Sequence, residues 1–357
     1  MLVRLAYLLQ IEKRFFYVVT VINLLPINLI ESHTLFIMII KSVPQVCVVL
    51  LNYEGSGDTI ACLDSLRKAS YKNFRIVVVD NASTDHSVAS LNEYFYKNSP
   101  SNFSCHETID NAMRSESLPL KYTLIQSQVN GGYGAGNNIG IKYALKGNDT
   151  DYILIINNDT IVEHDFIEPM VQLCEDDKTI GIASGKIYYH DRPDVIWFNG
   201  GRYHPCTAKV EHVNFGEKDT GQKTLEKNTF ITGCLWLIPR KTIQSVGLIN
   251  EDYFMYIEDL EYCRRVLSKG FSLQVSELSK IYHKVGSSTG GRFSDFSVYW
   301  RVRNMNLFIR EHVSSFFYRA FSLLMFNVKM FVNICLEGDF YLIKAQIRAI
   351  RDVCYVA

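Results

Sequence analysis

The chain has 357 residues, of which 48% are hydrophobic, 13% aromatic and 21% charged. This composition is too apolar for a disordered chain, and the length is enough for one large core or two modest ones. Lys and Arg together number 37, as do Asp and Glu, so no overall field attracts nucleic acid or an acidic partner, and we expect no nucleic-acid function. The nine cysteines include no Cys-x-x-Cys pair, which favours buried thiols over a zinc site or a disulfide framework.

Residues 1–43 contain two strongly apolar stretches, which are interrupted by Pro26 and by the polar group Glu31–Thr34. No uninterrupted run reaches the roughly 18 residues typical of a membrane-spanning helix, and no small-residue cleavage site of a signal peptide is visible. We interpret residues 1–43 as an apolar N-terminal extension that is peripheral to the fold or results from an upstream start. A membrane-touching segment is the alternative.

From residue 46 onward, short apolar runs alternate with helical patterns. The first four apolar runs are 46–51, 74–80, 122–127 and 151–157. Continuous runs of this length are typical of strands that are buried on both faces. Between them, the polar and pattern-free residues 97–120 are predicted to form an insertion loop. The alternation predicts an α/β fold with a single Rossmann-like mixed sheet flanked by helices, in which ligands bind outside the carboxyl ends of the strands.

The second half of the chain is less regular. Strands are predicted at 180–185, 195–201, 229–239 and 271–276, with an amphipathic helix at 256–270. Residues 299–351 have a helical and apolar pattern with eight Lys or Arg against three acidic residues. We predict a C-terminal helical extension.

Polar residues follow two of the predicted strands directly. Asp80 and Asn81 come after the second run, and Asn157–Asp159 come after the fourth. Carboxylate and amide groups at these positions suit ribose hydroxyls, base edges and a divalent cation. The alternative is that they are ordinary turn residues. Ser83 or Thr84 is expected to cap the helix that follows.

The segment 129–140, "VNGGYGAGNNIG", is rich in glycine and asparagine. It does not fit a dinucleotide fingerprint, because Asn137 stands where the third glycine is required and because the segment follows the third strand. It is not a phosphate-binding P-loop either, since no Gly-Lys-Ser/Thr follows. We predict a flexible stretch of backbone that leads into a helix at Asn138 and approaches a ligand closely.

Two further candidates are weaker when taken alone. Glu258 and Asp259 lie just inside a predicted helix, where acidic residues also complement the helix dipole. His283 follows an apolar run, and a lone histidine is more often structural than a ligand.

Eight segments bear a joint resemblance to a known family. They are, in chain order, "VVLLNYEG", "VVVDNASTD", "NGGYGAGNN", "IINNDT", "GCLWLIPR", "YIEDLEYCRR", "YHKVGSST" and "YWRVRN". Together, over roughly residues 44–310, they resemble an inverting family 2 glycosyltransferase of the GT-A fold, in its rhamnosyltransferase-like branch. The resemblance implies a catalytic domain at 44–298, with a donor half at 44–160 and an acceptor half at 161–298, followed by a basic and apolar helical region at 299–357.

The resemblance implies donor-binding and metal-binding residues. The donor-binding residues would be Asn52, Tyr53, Asp80, Asn81, Ser83, Gly132, Asn137, Asn157 and Asn158. Tyr53 would stack on the base and Asp80 would hydrogen-bond it. Asp159 would bind Mg²⁺ or Mn²⁺ at the donor diphosphate, and His283 would be a second metal ligand or a contact to the diphosphate. Asn157 stands where the family often has a first aspartate, which leaves the strength of metal binding open.

On the acceptor side, the resemblance implies that Asp259 is the general base. Glu258, Trp236 and Arg264 would position the acceptor. The expected reaction transfers one sugar from dTDP-rhamnose or a UDP-hexose to a hydroxyl of a saccharide or polyprenyl-diphosphate-linked acceptor, with inversion, in cell-surface polysaccharide assembly. No Gln-x-x-Arg-Trp motif of processive synthases follows the acidic pair, which favours single additions.

Two alternatives to this function remain. A sugar-nucleotide nucleotidyltransferase needs a glycine-rich loop with an arginine after the first strand, and "NYEGSGDT" has no basic residue. A catalytically inactive carbohydrate-binding homologue is the other alternative, motivated by the altered metal motif at Asn157.

The C-terminal region, 299–357, has basic residues spaced among Phe, Leu and Met, as in an interfacial helix. We expect a cytoplasmic protein that is peripheral on the inner face of the cell membrane. The alternatives are a helical subdomain that covers the sheet, or a homodimer surface.

Overall fold

The computed structural model describes residues 43–115, 120–285 and 294–355. The chain divides into two units, Met1–Val43 and Pro44–Ala357. Apart from Val43, all the described residues belong to the second unit. The predicted apolar extension at 1–43 therefore lies outside the described residues, except for Val43.

The described residues form strands and helices in alternation. The strands are β1 Val46–Asn52, β2 Phe74–Asp80, β3 Phe103–His106, β4 Tyr122–Gln126, β5 Tyr152–Asn157, β6 Thr160–Val162, β7 Ile180–Tyr189, β8 Ile196–Phe198, β9 Gly201–His204, β10 Lys209–His212, β11 Leu235–Pro239 and β12 Ser272–His283. The α-helices are α1 Ser56–Arg67, α2 Ser87–Asn98, α3 Ile109–Arg114, α4 Gly132–Ala144, α5 Ile167–Asp176, α6 Arg240–Val246, α7 Glu258–Ser268, α8 Asp295–His312, α9 Phe316–Glu337 and α10 Leu342–Tyr355.

One large mixed sheet organises the fold. Its strand order is β3-β4-β2-β1-β5-β11-β7-β12-β6, with β8 paired to β7, and β9 and β10 form a separate hairpin. Strands β1 to β5 pair in parallel, whereas β11 is antiparallel to β5 and β7. The predicted mixed α/β sheet flanked by helices is confirmed. Because the central parallel strands carry helices on both faces, their sequences are almost continuously apolar.

The strand register brings the predicted polar clusters to one edge of the sheet. Asn52 pairs with Asp80 across β1 and β2, and Leu51 pairs with Asn157 across β1 and β5. The carboxyl ends of these three parallel strands therefore meet, which is where open α/β sheets bind ligands.

The predicted insertion loop at 97–120 is wrong. This stretch contains strand β3, which pairs in parallel with β4, and helix α3. The Phe103 ring is buried and stacks on Phe95 with 4.7 Å between centroids, and the Thr108 hydroxyl caps α3 by accepting from Asn111 N. A four-residue edge strand is too short to show a hydrophobic period, so the pattern gave no signal.

The glycine-rich segment is also not the predicted loop, because α4 begins at Gly132, six residues before the expected helix. Two of its glycines let the helix approach β1. A Cβ at Gly136 would lie 2.4 Å from Leu51 Cδ1, and one at Gly140 would lie 2.4 Å from Val49 Cγ1. Glycine costs a helix about 1 kcal/mol per residue relative to alanine, and the close contact with the sheet offsets this cost.

Helices α8, α9 and α10 confirm the predicted helical C-terminus. The expected boundary at 298/299 falls inside α8. Val298 and Val302 pack with Ile334 of α9 and with α10 in a small separate core, whereas Met305 and Phe308 pack in the main core. Helix α8 therefore joins the two cores. Among the described residues, α9 is the one helix long and apolar enough to cross a membrane, and it is mostly exposed.

Candidate functional site

The ends of β1 and β2 carry a buried hydrogen-bond network around Asp80. The Asn52 side-chain amide donates to Asp80 Oδ2 over 2.7 Å. Ser83 donates through its hydroxyl to the same oxygen at 2.7 Å and through its backbone N–H to Asp80 Oδ1 at 3.0 Å. Asn52 and Asp80 are at most 1% exposed. The network therefore holds the Asp80 carboxylate in a fixed orientation as a hydrogen-bond acceptor at the ligand-binding edge of the sheet.

Ser83 does not cap a helix, and neither does Thr84, so the capping prediction is wrong. Helix α2 begins at Ser87, whose N–H donates to Asp85 Oδ1 at 2.9 Å. The turn that separates β2 from α2 contains Ala82 with φ of 63°, which folds Ser83 back onto Asp80. The predicted role of Ser83 in binding the nucleotide-sugar donor thus depends on its contact with Asp80.

The network extends to the end of β5. Asn158 Nδ2 donates to Thr59 Oγ1 at 3.0 Å, and the Thr59 hydroxyl donates to Asn52 Oδ1 at 2.7 Å. Asn157 donates through its backbone N–H to Cys234 O at 3.0 Å. The structure therefore brings the two predicted polar clusters together. Tyr53 is 45% exposed beside them, and its stacking on a base stays a prediction.

Asp159 and His283, the predicted metal ligands, are in contact. Their closest atoms, Asp159 Oδ1 and His283 Nε2, are 3.1 Å apart, and both side chains are about nine-tenths buried. The antiparallel pairing of β6 with β12 sets His283 opposite Thr160, and the Trp197 ring packs edge-on against the imidazole at 4.6 Å. Burial lowers the pKa of His283, but the Cys234 sulfur and the Asp159 carboxylate raise it to about 10.

These side chains fit a divalent cation as a two-residue set. The described residues contain no group of three or more His, Cys, Asp or Glu side chains that could hold a metal ion. Two protein ligands suffice for Mg²⁺, which usually keeps waters and substrate phosphates as its other ligands. A carboxylate and an imidazole also suit Mn²⁺. The imidazole must be neutral to bind a metal, so metal binding at His283 would release a proton.

The acidic pair lies in the first turn of α7. Asp259 Oδ2 accepts the N–H of Gly233 at 3.2 Å, and Oδ1 accepts the N–H of Leu260 at 2.8 Å. Glu258 is 6% exposed, and its Oε2 has no hydrogen-bond partner among the described residues. A buried carboxyl oxygen without a partner is costly in a folded protein. It marks a place where a ligand hydroxyl would be stabilised.

Burial raises the pKa of both carboxyl groups, and the N–H donors to Asp259 separate their titration. Burial, followed by the Asp259 charge, raises the pKa of Glu258 well above its ordinary value. Burial also raises the pKa of Asp259 to about 6, against the opposing effect of its N–H donors. Neighbouring carboxyl groups do not ionise together readily. Asp259 therefore ionises first and can accept a proton near neutral pH, while Glu258 remains protonated.

The turn in front of α7 is strained. Tyr256 has φ of 66° and Ile257 has φ of 72°. The left-handed region costs about 1–3 kcal/mol for a residue other than glycine, and a β-branched residue such as isoleucine is a genuine outlier there. Such a conformation persists only where the surroundings hold it, and it sets the direction in which α7 and its acidic pair begin.

Tyr133 is the site residue that the sequence analysis missed. Its hydroxyl donates to Gly233 O at 2.6 Å, and Gly233 N–H in turn contacts Asp259. Burial raises the pKa of Tyr133, and so do the charges of the acidic pair and of Asp159. Tyr133 therefore lies between the acidic pair and the end of β5. The available signal was an aromatic residue within a run of glycines.

Three residues that were predicted to contact ligands face the protein interior, and their ligand contacts stay predictions. Gly132, with φ of 82°, lies against the backbone of Phe254, where a Cβ would be 1.9 Å from the carbonyl oxygen. Asn137 is completely buried and donates to Tyr133 O. Trp236 is completely buried on β11 and donates through Nε1 to Ile231 O, so its ring packs within the core.

Asn81 adjoins the Asp80 network, since its N–H donates to Asn52 O at 2.8 Å, whereas Arg264 lies apart from it. Asn81 is 3% exposed, and its amide donates to Asn130 Oδ1 and Gly132 O, which ties the end of β2 to the glycine-rich segment. Arg264 is exposed and lines a cavity of about 370 Å³ with His312 and other residues. It lies five residues after Asp259, rotated by roughly 140° around the helix. Its acceptor role stays a prediction.

A mixed sheet whose parallel strands end in a buried Asn–Asp network, facing an acidic pair at a helix start, defines a protein of the GT-A class. The model of the family "Glycosyl transferase family 2" matches residues 46–247, which is more than half of the chain. The chain belongs to glycosyl transferase family 2, and the family resemblance of the sequence is confirmed.

Curated relatives agree with this assignment. The chain is 25% identical over 190 residues to the low-salt glycan biosynthesis hexosyltransferase Agl10 of Haloferax volcanii, covering 50% of this chain and 57% of the relative. It is 24% identical over 191 residues to the dTDP-rhamnosyl transferase RfbF of Shigella flexneri, covering 51% of this chain and 61% of the relative. The chain thus spans about three-fifths of the length of these relatives.

Solved structures show the same fold. GalNAc-T7 with UDP, GalNAc and Mn²⁺ superimposes with a TM-score of 0.54 at 15% identity, covering 76% of this chain and 48% of that one. The mannosyltransferase PcManGT from Pyrobaculum calidifontis, in complex with GDP-Man and Mn²⁺, gives 0.51 at 13% identity, covering 89% and 77%.

Proposed function

We propose that this protein is an inverting, metal-dependent glycosyltransferase. It transfers one sugar from a nucleoside-diphosphate donor to a hydroxyl of a saccharide or lipid-linked acceptor in cell-surface polysaccharide assembly. The observation that carries the proposal is the Tyr133–Gly233–Asp259 chain of hydrogen bonds. Cys234, the next residue after Gly233, accepts the N–H of Asn157 at 3.0 Å and so connects this carboxylate with a raised pKa to the end of β5, which precedes Asp159.

Asp259 is the general base in this proposal. Its carboxylate takes the proton of the acceptor hydroxyl as the hydroxyl oxygen attacks the anomeric carbon, and the bond between that carbon and the donor diphosphate breaks with its electrons leaving to the diphosphate. A pKa of about 6 makes Asp259 a stronger base than an exposed aspartate and leaves it ionised near neutral pH. One displacement with one base inverts the anomeric centre. Glu258, as a protonated acid, donates a hydrogen bond to the acceptor.

The donor is held at the ends of β1, β2 and β5. Tyr53 stacks on the base and Asp80 accepts a hydrogen bond from it, while Asn157 and Asn158 contact the ribose and the phosphates. Asp159 and His283 hold the Mg²⁺ or Mn²⁺ ion, which when bound neutralises negative charge on the departing nucleoside diphosphate.

The donor sugar is proposed as rhamnose from dTDP-rhamnose, with a UDP-hexose as the second choice. The names of two relatives support this order: the dTDP-rhamnosyl transferase RfbF, and the rhamnosyltransferase WbbL of Escherichia coli, which is 23% identical over 150 residues. A hexosyltransferase relative supports the second choice.

We further propose that the protein works in the cytoplasm as a peripheral protein on the inner face of the membrane, with a polyprenyl-diphosphate-linked acceptor. Helix α9 supports this localisation, because its Phe316 and Phe317 are 75% and 83% exposed. Exposed aromatic side chains on a long apolar helix are typical of an interfacial segment.

The test measures sugar transfer from a panel of nucleotide sugars by the wild type and by Asp259→Asn. Reactions with Mg²⁺ or Mn²⁺ are compared with reactions that contain EDTA. We expect metal-dependent release of one nucleoside diphosphate, an inverted product anomer by NMR and loss of transfer in the variant. A folded protein that turns over no donor with any membrane-lipid extract would support the inactive carbohydrate-binding homologue instead. Release of a nucleoside triphosphate from donor and pyrophosphate would support the nucleotidyltransferase.

A further inference from the structure

The strained turn in front of α7 is held from the outside by one side chain of α8. Asn304 is completely buried, and its amide nitrogen donates to Met255 O at 2.8 Å and to Tyr256 O at 2.9 Å. Its amide oxygen accepts from Arg303 Nη1 at 2.6 Å. With both donor hydrogens and the acceptor engaged, the orientation of this amide is fixed.

These bonds fall where the backbone is least stable by itself. The Tyr256 carbonyl belongs to the first of the two consecutive left-handed residues, and the Ile257 carbonyl accepts the N–H of Glu261 and so starts α7. Without donors for two neighbouring carbonyl groups, the turn would relax toward ordinary backbone angles. Because the acidic pair follows directly, such a relaxation would change the direction of Glu258 and Asp259.

Other contacts clamp the same segment, residues 252–257, here termed the strap. On the side of α4, Tyr133 N donates to Phe254 O at 2.9 Å. On the side of α8, Arg303 Nη1 donates to Asp252 O at 2.8 Å, and the Trp300 ring stacks on Phe254 at 4.8 Å. The strap therefore lies between the glycine-rich helix and α8. Asn304 donates to the backbone of the left-handed Tyr256, over whose ring the Arg301 guanidinium lies at 4.7 Å.

We propose that Asn304 is a positioning residue, which holds the strap in its left-handed conformation and thereby orients Asp259 as the general base. The proposal rests on the proposed function for its catalytic part. Because Asn304 is completely buried, we expect its removal to act on the chemical step and to leave donor affinity unchanged.

The test compares Asn304→Asp with Asn306→Asp. Asn304→Asp keeps the shape but replaces both donor hydrogens with a carboxylate oxygen facing two carbonyl groups. Asn306 is the matched control because it is also buried on α8 but donates to Val302 O and exchanges hydrogen bonds with Asn327. Asn304→Ala removes the donors without adding charge and serves if the Asp variant does not fold.

Two readouts are made on the full chain: amide hydrogen exchange of residues 254–261, and kcat and KM for the donor. We expect faster exchange in this segment and a fall in kcat on the order of 100-fold with donor KM changed less than about 2-fold, for the Asn304 variants only.

Unchanged exchange overturns the proposal, and so does an equal loss of kcat in Asn306→Asp. Faster exchange with unchanged kcat overturns the positioning role. A wild type that transfers no sugar overturns the proposed function, while the exchange experiment still decides whether Asn304 holds the strap.

Discussion

At the scale of single residues, burial sets the chemistry of the acidic pair. Glu258 and Asp259 are adjacent carboxyl groups in one helical turn, yet the N–H groups of Gly233 and Leu260 bond only to Asp259. These donors favour the charged form of Asp259, while Glu258 has no such donor on Oε2. One carboxyl is thus prepared to accept a proton and the other to keep one.

This asymmetry predicts the pH dependence of transfer. Since the Asp259 pKa is raised to about 6, the base is protonated and inactive below that pH, so kcat/KM should fall tenfold per pH unit below about pH 6 and level off above it. Asp259→Asn should lower kcat by about 10²–10⁴-fold and remove this acid limb. Glu258→Gln, the matched control, should keep an acid limb, because the base is still present. An acid limb near pH 4 in the wild type would contradict the assignment.

A second prediction concerns Tyr133. Tyr133→Phe removes the hydroxyl that donates to Gly233 O, so Gly233 is less well placed to donate to Asp259, and we expect kcat to fall by about tenfold. The buried Gly233 carbonyl loses its donor, so we also expect the free energy of unfolding to fall by about 1–3 kcal/mol. Tyr143→Phe is the control, since Tyr143 lies on the same helix and its hydroxyl accepts a long hydrogen bond of 3.4 Å from Thr123. Kinetics and thermal unfolding measure both. Equal kinetic effects in the two variants would refute the role of Tyr133.

At the scale of elements, the glycine-rich helix acts as a spacer between the sheet and the strap. Gly136 and Gly140 bring α4 close to β1, and Gly132 admits the carbonyl of Phe254. The glycines of α4 thus allow close packing within the protein, and Tyr133 is the residue of this helix that lies at the candidate site.

Gly132→Ala should therefore be among the most damaging small substitutions in the chain. The new methyl would overlap a backbone oxygen that cannot move aside as a side chain would, and the left-handed φ disfavours alanine. We expect the free energy of unfolding to fall by about 2 kcal/mol or more. Gly57→Ala on α1 is the control, because nothing lies within 4 Å of the added Cβ, and it should stabilise by up to about 1 kcal/mol. Urea denaturation measures the free energy of unfolding of both variants. A Gly132→Ala protein as stable as the wild type would contradict the close packing of Gly132 against Phe254.

A further prediction concerns the binding of helix α9 to a membrane surface. Phe316→Ser with Phe317→Ser should reduce binding to anionic liposomes by at least about tenfold, because each phenyl group loses roughly 1.5–3 kcal/mol of burial. Phe215→Ser removes another exposed phenyl group, 56% exposed, from a different part of the surface and should not change binding. Flotation assays measure the bound fraction. Equal binding by wild type and double variant would instead favour a protein partner for α9.

At the scale of the whole molecule, the sequence predicts the parallel half of the sheet well. Buried parallel strands are continuously apolar and stop abruptly at polar residues, so Asp80 and Asn157–Asp159 could be placed at one edge before the register was known. The acidic pair and His283 could be placed only through the ordered resemblance to a family, since neither stands out in the sequence alone.

The missed features have one physical cause, which is that sequence patterns do not give the direction of a side chain across layers. Trp236 stands in a motif that suggested contact with an acceptor, but β11 is central and covered on both faces, so its ring is buried. Tyr133 was hidden by glycines that suggested bare backbone. Asn304 lies far along the chain from the turn it holds, and its role depends on a contact between α8 and the strap.

The sharing of α8 by two cores has a geometric consequence. The helix is about 27 Å long, with Val302 in the C-terminal core, Met305 in the main core and Asn304 between them on the strap. Helix α8 thus connects α9 to the strap in front of the acidic pair. If α9 lies on a bilayer, Asp259 is held at a constant distance from the membrane surface. The enzyme would then select acceptors by how many sugar units separate the growing end from its lipid.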